Sequence, residues 1–379
     1  MKIYGMTGRF ERFAMRRKNF KVEEKIEGGI AGRQLSFSYP LEDGKISCEQ
    51  LIEYEDDLFR VREATVKGGT GSVVAEQDRD ALSGHAVTIY RAEGLELAEC
   101  VSEALSGTGW RCVDLSAGNA GRRYLEEKNT NSLELLEKIA ELFWAEISLN
   151  AKKKTVYLHS RIGSRREKAV FMAGYNLKTL EAKTDTHSFY TRIYPIGKDG
   201  LTIAGVNEGR DYLENHVYSA EIRSCIWESA DYTDAAVLKQ AAEKKLEELA
   251  QPKLTYTAQI LDLDGMADGY GEYAYALGDE VKLVDDGIGI HAWERIVRTV
   301  RYPDHPEKNS IELSNRALSF ARMQKKLLAS AEIVKSITGN KKGVIADGIN
   351  ITIDAGQVDG LEPYYTTAIT NLEIDSICR

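Results

Sequence analysis

The sequence predicts an α+β protein in which two β-rich regions flank a smaller α/β module. Two patterns and one bound carry this. Short alternating apolar–polar runs recur at about ten-residue spacing on both sides of the chain's middle. Two segments place apolar residues at helical spacing between capping signals. The 379 residues, 43% hydrophobic and 29% charged, are enough for several cores and too many for one.

Residues 1–98 read as the first β-rich region. In "QLSFSYP" Leu35, Phe37 and Tyr39 share one side, and "FKVEEKI" alternates less cleanly through Val22, Glu24 and Ile26. "IEYEDDLFRVREATVKGG" supplies two strands about an acidic turn, and "GHAVTIYRA" one more with Val87 and Ile89. Glycine-rich breaks between them fit a small barrel or a sandwich.

Residues 99–180 change character. "NSLELLEKIAELFW" sets Leu133, Leu136, Ile139, Ala140 and Phe143 on one helical face, with Asn131 or Ser132 as N-cap. Two strands about "NAKKK" follow, with Ile147 and Leu149 opposite Val156 and Leu158. Helix plus hairpin makes an α/β module.

Residues 181–313 form the second β-rich region. It is interrupted by a helix over 233–250, capped by Thr233 or Asp234, faced with Leu238, Ala242, Leu246 and Leu249, and stopped by Pro252. Four strands follow in "KLTYTAQILDLD", "GDEVKLVDD", "ERIVRTVRY" and "NSIELSN". "TRIYPIGKDGL", residues 191–201, reads as a hairpin whose Lys198-Asp199-Gly200 turn uses glycine for positive φ, with Pro195 at a bend or edge.

Residues 314–379 hold a C-terminal helix and short strands. Phe320, Met323, Leu327, Ser330, Val334 and Ile337 step at heptad spacing, over fewer heptads than a coiled coil requires. The helix either packs on its own chain or lies on the axis of an oligomer.

The chemistry of the sequence is sparse. Five scattered cysteines, with no C-x-x-C, give neither a disulfide framework nor a zinc ribbon. The six histidines lack metal-ligand spacing, and no nucleophile elbow or phosphate-binding loop occurs. A Cys–His pair built on Cys100, Cys112 or Cys225 has no supporting context, and "DLDGMADGYGE" fails the calcium-loop register. No catalytic residue, cofactor or metal is expected. Nor does any apolar run approach the roughly 20 residues of a membrane span, and no signal peptide opens the chain, so a soluble protein made in the cytoplasm is expected. The net charge of −9 excludes a bulk nucleic-acid binder. One local stretch departs from it: Arg9, Arg12, Arg16, Arg17, Lys18 and Lys21, interleaved with Phe10, Phe13 and Phe20. It is either a solvated strand face or a contact for nucleic acid or an acidic partner.

"TRIYPIGKDGLTI" with "NEGRDYLENHVYSAE", "GYNLK" upstream, and the "GD-x-V" and "P-E-K-N" signatures downstream resemble the prophage tail endopeptidase family, the tail-associated lysins or baseplate hub proteins of phage tails. The resemblance is clearest over 130–316. It implies two small β-barrels per chain joined by α/β insertions, and a homotrimer whose barrels alternate around a ring. Such a ring docks on the tail tube, surrounds the DNA exit channel, and meets distal tail, tube and tape-measure proteins in a virion assembled in the host cytoplasm. In this family the lytic enzyme resembles a separate module after the hub. Lacking such a module and any catalytic signature, the sequence predicts the structural hub alone, with the basic stretch as a partner or channel contact and the heptad helix as a candidate trimer axis. The alternatives are a peptidoglycan hydrolase with a dispersed site and a receptor-binding adaptor.

Overall fold

Alternation and turn chemistry dictate the first sheet. The computed structural model describes residues 1–6, 9–13, 16–116, 121–229, 231–261, 274–315, 344–346 and 349–351. Strands β1 (Lys2–Tyr4), β2 (Phe10–Phe13), β3 (Lys18–Glu27), β4 (Ile30–Pro40), β5 (Leu51–Tyr54), β6 (Asp57–Lys67) and β7 (Thr70–Gln77) run in the order β3-β4-β7-β6-β5-β1-β2, all antiparallel. Leu35, Phe37 and Tyr39 are buried on one side as their alternation predicts, against Phe20, Val22, Ile52, Phe59 and Val73.

The α/β module follows. After a single helical turn, α1 (Asp80–Ser83), come β8 (Ala86–Leu95), α2 (Leu97–Ala104), β9 (Arg111–Asp114), β10 (Arg123–Asn131), α3 (Ser132–Phe143), β11 (Glu146–Asn150) and β12 (Thr155–His159). The Asn131 side chain caps α3 by accepting from the Glu134 amide, as expected. The buried face of α3 is wider than predicted: Leu135 and Leu142 join Leu136, Ile139, Ala140 and Phe143, while Leu133 is only half-buried. The hairpin pairs Ile147 with Leu158 and Leu149 with Val156. The strand expected at β8 is present, but Val87 and Ile89 do not form its buried face. Ile89 is exposed, and Tyr90 and Ala92 are buried, because β8 pairs with β10 and its Tyr90 hydroxyl donates to the Cys100 carbonyl of α2.

Next come β13 (Arg165–Met172), β14 (Leu177–Asp185), β15 (Arg192–Ile196), β16 (Leu213–Glu214), β17 (Ser224–Glu228), α4 (Ala235–Leu249), β18 (Lys253–Ile260), β19 (Glu280–Asp285), β20 (Ile290–Arg301) and β21 (Ser310–Ser314). Asp234 caps α4, accepting from the Ala236 and Val237 amides. A second core gathers Phe171, Tyr256, Ile260, Leu283, Ile296 and Leu313. The 191–201 stretch is corrected in part. Its turn is present, with Asp199 at φ 56° and Gly200 at φ 77°. The chain does not fold straight back, however; β15 pairs in parallel with β17 and only briefly with β16. Pro195 sits where the β16 pairing has already ended, so its missing N–H breaks no ladder there.

The protein is mostly β-sheet, with four α-helices among the described residues, and so more β-rich than the α+β class expected. The two β-rich regions keep separate cores, yet one sixteen-stranded hydrogen-bonded network spans them. Twelve-residue β20 makes the link. It pairs with β21 along one edge, while the other edge passes from β19 to β3, next to an irregularity between Ile296 and Arg298. Arg298–Glu23 at 2.8 Å and Arg301–Glu24 at 3.2 Å bind the β3 side of this seam. Residues Ser319–Arg379 form a second unit, in which β22 (Val344–Ala346) pairs antiparallel with β23 (Ile349–Ile351).

The Arg295 guanidinium is nearly enclosed and donates to Glu146 of β11 at 2.6 and 2.5 Å and to the Gly278 and Ile162 carbonyls. Arg295→Ala is expected to cost about 3 kcal/mol in urea unfolding, because it strands a buried carboxylate; Glu146→Gln with Arg295→Met should recover part of that loss. Glu294, 7% exposed between Val281 and Ile296, is pushed up to about 7 by burial and by the Glu280 carboxylate. The folded state therefore holds a proton that the unfolded chain releases near 4.5, and stability falls as pH rises from about 4.5 to about 7. Glu294→Gln is expected to raise the thermal midpoint at pH 8 and to leave it nearly unchanged at pH 4.

Candidate functional site

The residues that make the sequence distinctive are spent on fixing backbone. In "GYNLK" the buried Asn176 accepts from the Met172 amide at 2.9 Å and donates to the Val170 carbonyl at 2.9 Å, closing the turn between β13 and β14. In "GD-x-V" the buried Asp279 accepts from the Ser164 and Ala276 amides at 2.8 and 2.9 Å and from Arg166 Nε at 3.0 Å. Its neighbour Gly278, at φ 88°, lies so near Ile162 that a Cβ would come within 2.4 Å of the Ile162 carbonyl oxygen. In "P-E-K-N" the buried Asn309 accepts from the Tyr302 amide at 2.7 Å. In "TRIYPIGKDG" the Thr191 hydroxyl donates to the Glu221 carbonyl and accepts from the Arg223 amide, and Lys198 Nζ lies 4.0 Å from the Tyr124 ring centroid of β10. Asn176, Asp279, Asn309 and Thr191 thus each engage backbone groups of a turn.

The basic stretch is divided by its surroundings. Arg16 pairs with Glu42 and Asp43. Arg17 forks onto Asp304 at 3.0 Å and stacks over Phe20 at 4.3 Å. Lys21 reaches Glu23 at 3.2 Å. Arg9 and Lys18 are exposed and form no ion pair with a described residue. Arg12 lies on β2 opposite Ile3. Phe10 faces the Tyr4 ring edge-on, whereas Phe20 is core. The candidate axis residues Phe320, Met323, Leu327, Val334 and Ile337, and the acidic run 262–272, lie outside the described residues.

The thiols offered as nucleophiles are held protonated. Burial pushes Cys100 and Cys112 up to about 11 and Cys225 up to about 12. Each histidine partners a nearby polar group: His85 with Ser132, His159 with Ser148, His187 with Asp185, His216 with Glu214, His291 with Asp286 and His305 with Glu307. Among the described residues no His, Cys, Asp and Glu side chains gather as metal ligands. Sequence spacing missed Glu146, Arg295 and Asp57, because their partners lie far along the chain. Buried Asp57, for instance, accepts from the Ala151 amide and from Gln77, tying β6 to the module.

Residues 164–324 match the family model described as prophage endopeptidase tail. The fold is similar to that of the prophage tail protein gp18 of Listeria monocytogenes EGD-e, at 16% identity and a TM-score of 0.60 over 88% of this chain and 99% of that one. It is also similar to the 43 kDa tail protein of prophage MuSo2 from Shewanella oneidensis (11%, 0.59, 83% and 98%) and to the tail protein of Neisseria meningitidis MC58 (13%, 0.58, 84% and 97%). At these identities the likeness is one of fold. No curated protein sequence matches significantly. With its motif residues serving as turn locks inside that shared fold, the chain matches the family described as prophage endopeptidase tail over residues 164–324, and its fold is that of phage tail proteins.

Proposed function

We propose that this chain is a structural hub protein of a phage or phage-like tail. Three copies form a ring that caps the tail tube and surrounds the DNA exit channel, in contact with distal tail, tube and tape-measure proteins. The observation that carries this reading is the use made of the motif residues: Asn176, Asp279, Asn309 and Thr191 hold turns of a rigid β framework rather than lining a reactive cleft. Two further features support it. The two separate cores suit two barrel-like bodies per chain, and ion pairs such as Arg295–Glu146 and Arg298–Glu23 join distant segments, which is what a load-transmitting part requires. Arg9 and Lys18 are the residues of the basic stretch left for a partner or the channel wall.

The word endopeptidase in the family description favours one rival, a peptidoglycan hydrolase. Light scattering on the purified full chain separates the two. The hub is expected to give three times the 42.3 kDa chain mass, without added metal, and to release no soluble fragments from peptidoglycan. A persistent monomer that solubilises peptidoglycan would establish the hydrolase instead.

A further inference from the structure

We propose that Glu294 makes the joint between the two β-rich halves sensitive to pH. With a neutral carboxyl this part of β20 stays packed in the second core. With an ionised one it is drawn out toward water, and the joint beside it loosens. The inference stands on the geometry of β20 and is independent of the hub reading. Glu294 lies two positions before Ile296 on the core face of the strand, opposite Val281 of β19. It is 7% exposed, and among the described residues nothing hydrogen-bonds to its carboxyl or pairs with its charge. A buried carboxylate without a donor or a cation is costly, and the neutral acid is the form an apolar core tolerates.

The neighbouring strands offer it no counterion. β13, β14 and β21 bring Phe171, Leu177 and Leu313 to this core, and β18 brings Tyr256, itself 7% exposed. β19 adds a second carboxylate, Glu280, whose ion pair is with Arg161 at 3.9 Å. Arg295, next along β20, projects from the other face and is committed to Glu146, and Lys282 stands across from Trp293 on that same face. Burial first, and then the Glu280 carboxylate, push Glu294 up to about 7. Its position turns a local charge into a change at the joint. β20 leaves β19 once Arg295 has paired with Glu280, and takes up β3 at Arg298. Between them the Ile296 amide donates to the Asp279 carbonyl at 2.8 Å, and the Gly278 amide to the Ile296 carbonyl at 2.9 Å. A carboxylate seeking water two positions away pulls on both bonds and on the Arg295–Glu146 pair that fastens the α/β module.

Hydrogen exchange on the full chain tests this, with rates corrected for the intrinsic effect of pH. The Ile296 and Gly278 amides are expected to exchange faster than the Leu35 amide of the first core. Their corrected rate is expected to rise about tenfold from pH 6 to pH 8, as a carboxyl held at about 7 in the core returns to 4.5 in water. In Glu294→Gln the rise is expected to vanish. His291→Gln, which removes the strand's histidine and its Asp286 pairing from the opposite face, should keep it. A corrected rate that is equal at pH 6 and pH 8, or a rise that survives Glu294→Gln, overturns the proposal. So does exchange of Ile296 and Gly278 in step with Leu35, which would make the opening global rather than local to the joint.

Discussion

Arg295 and the strand that carries it decide how the two β-rich halves meet. Along one edge β20 answers to β19 and then to β3, so the order of one half is transmitted to the other through a single backbone. Arg295 stands near the point of transfer. Four of its five donors find a bidentate carboxylate from the α/β module and two carbonyls, the pattern needed to offset the desolvation of a guanidinium. The Gly278 carbonyl can serve as an acceptor there because Gly163 and Gly278 let two chain segments approach closely. A Cβ on Gly163 would fall 2.2 Å from the Gly278 carbonyl carbon.

Local physics was legible in the sequence and long-range pairing was not. The caps at Asn131 and Asp234, the Ile147–Leu158 hairpin and the Leu35-Phe37-Tyr39 face each depend on residues a few positions apart, within the reach of periodicity. β8 misled for a physical reason: its apolar and polar residues do not alternate strictly, and α2 selects the Tyr90 face. The pairing of β3 with β20 joins Glu23 to Arg298, 275 positions away, and no window of sequence carries that information. A separation of 149 positions likewise hid the pairing of Glu146 with Arg295.

The absence of reactive motifs has a positive counterpart in the turn locks. A carboxylate or amide that recruits backbone amides is held in one rotamer and has few lone pairs left for a substrate, so Asp279 and Asn309 are fit for rigidity. Such residues still leave a recognisable sequence signature, because replacing them exposes buried amides and costs stability wherever the turn is needed. Family resemblance can thus rest on architecture alone, without shared chemistry.

Charge placement follows the same economy. On a chain of net charge −9, three of the six residues in the basic stretch are committed to nearby acids, and the Arg17–Asp304 fork ties the start of β3 to the segment after β20. That stretch is therefore first a clasp between the halves. What it leaves exposed among the described residues, Arg9 and Lys18, stands just before β2 and at the start of β3.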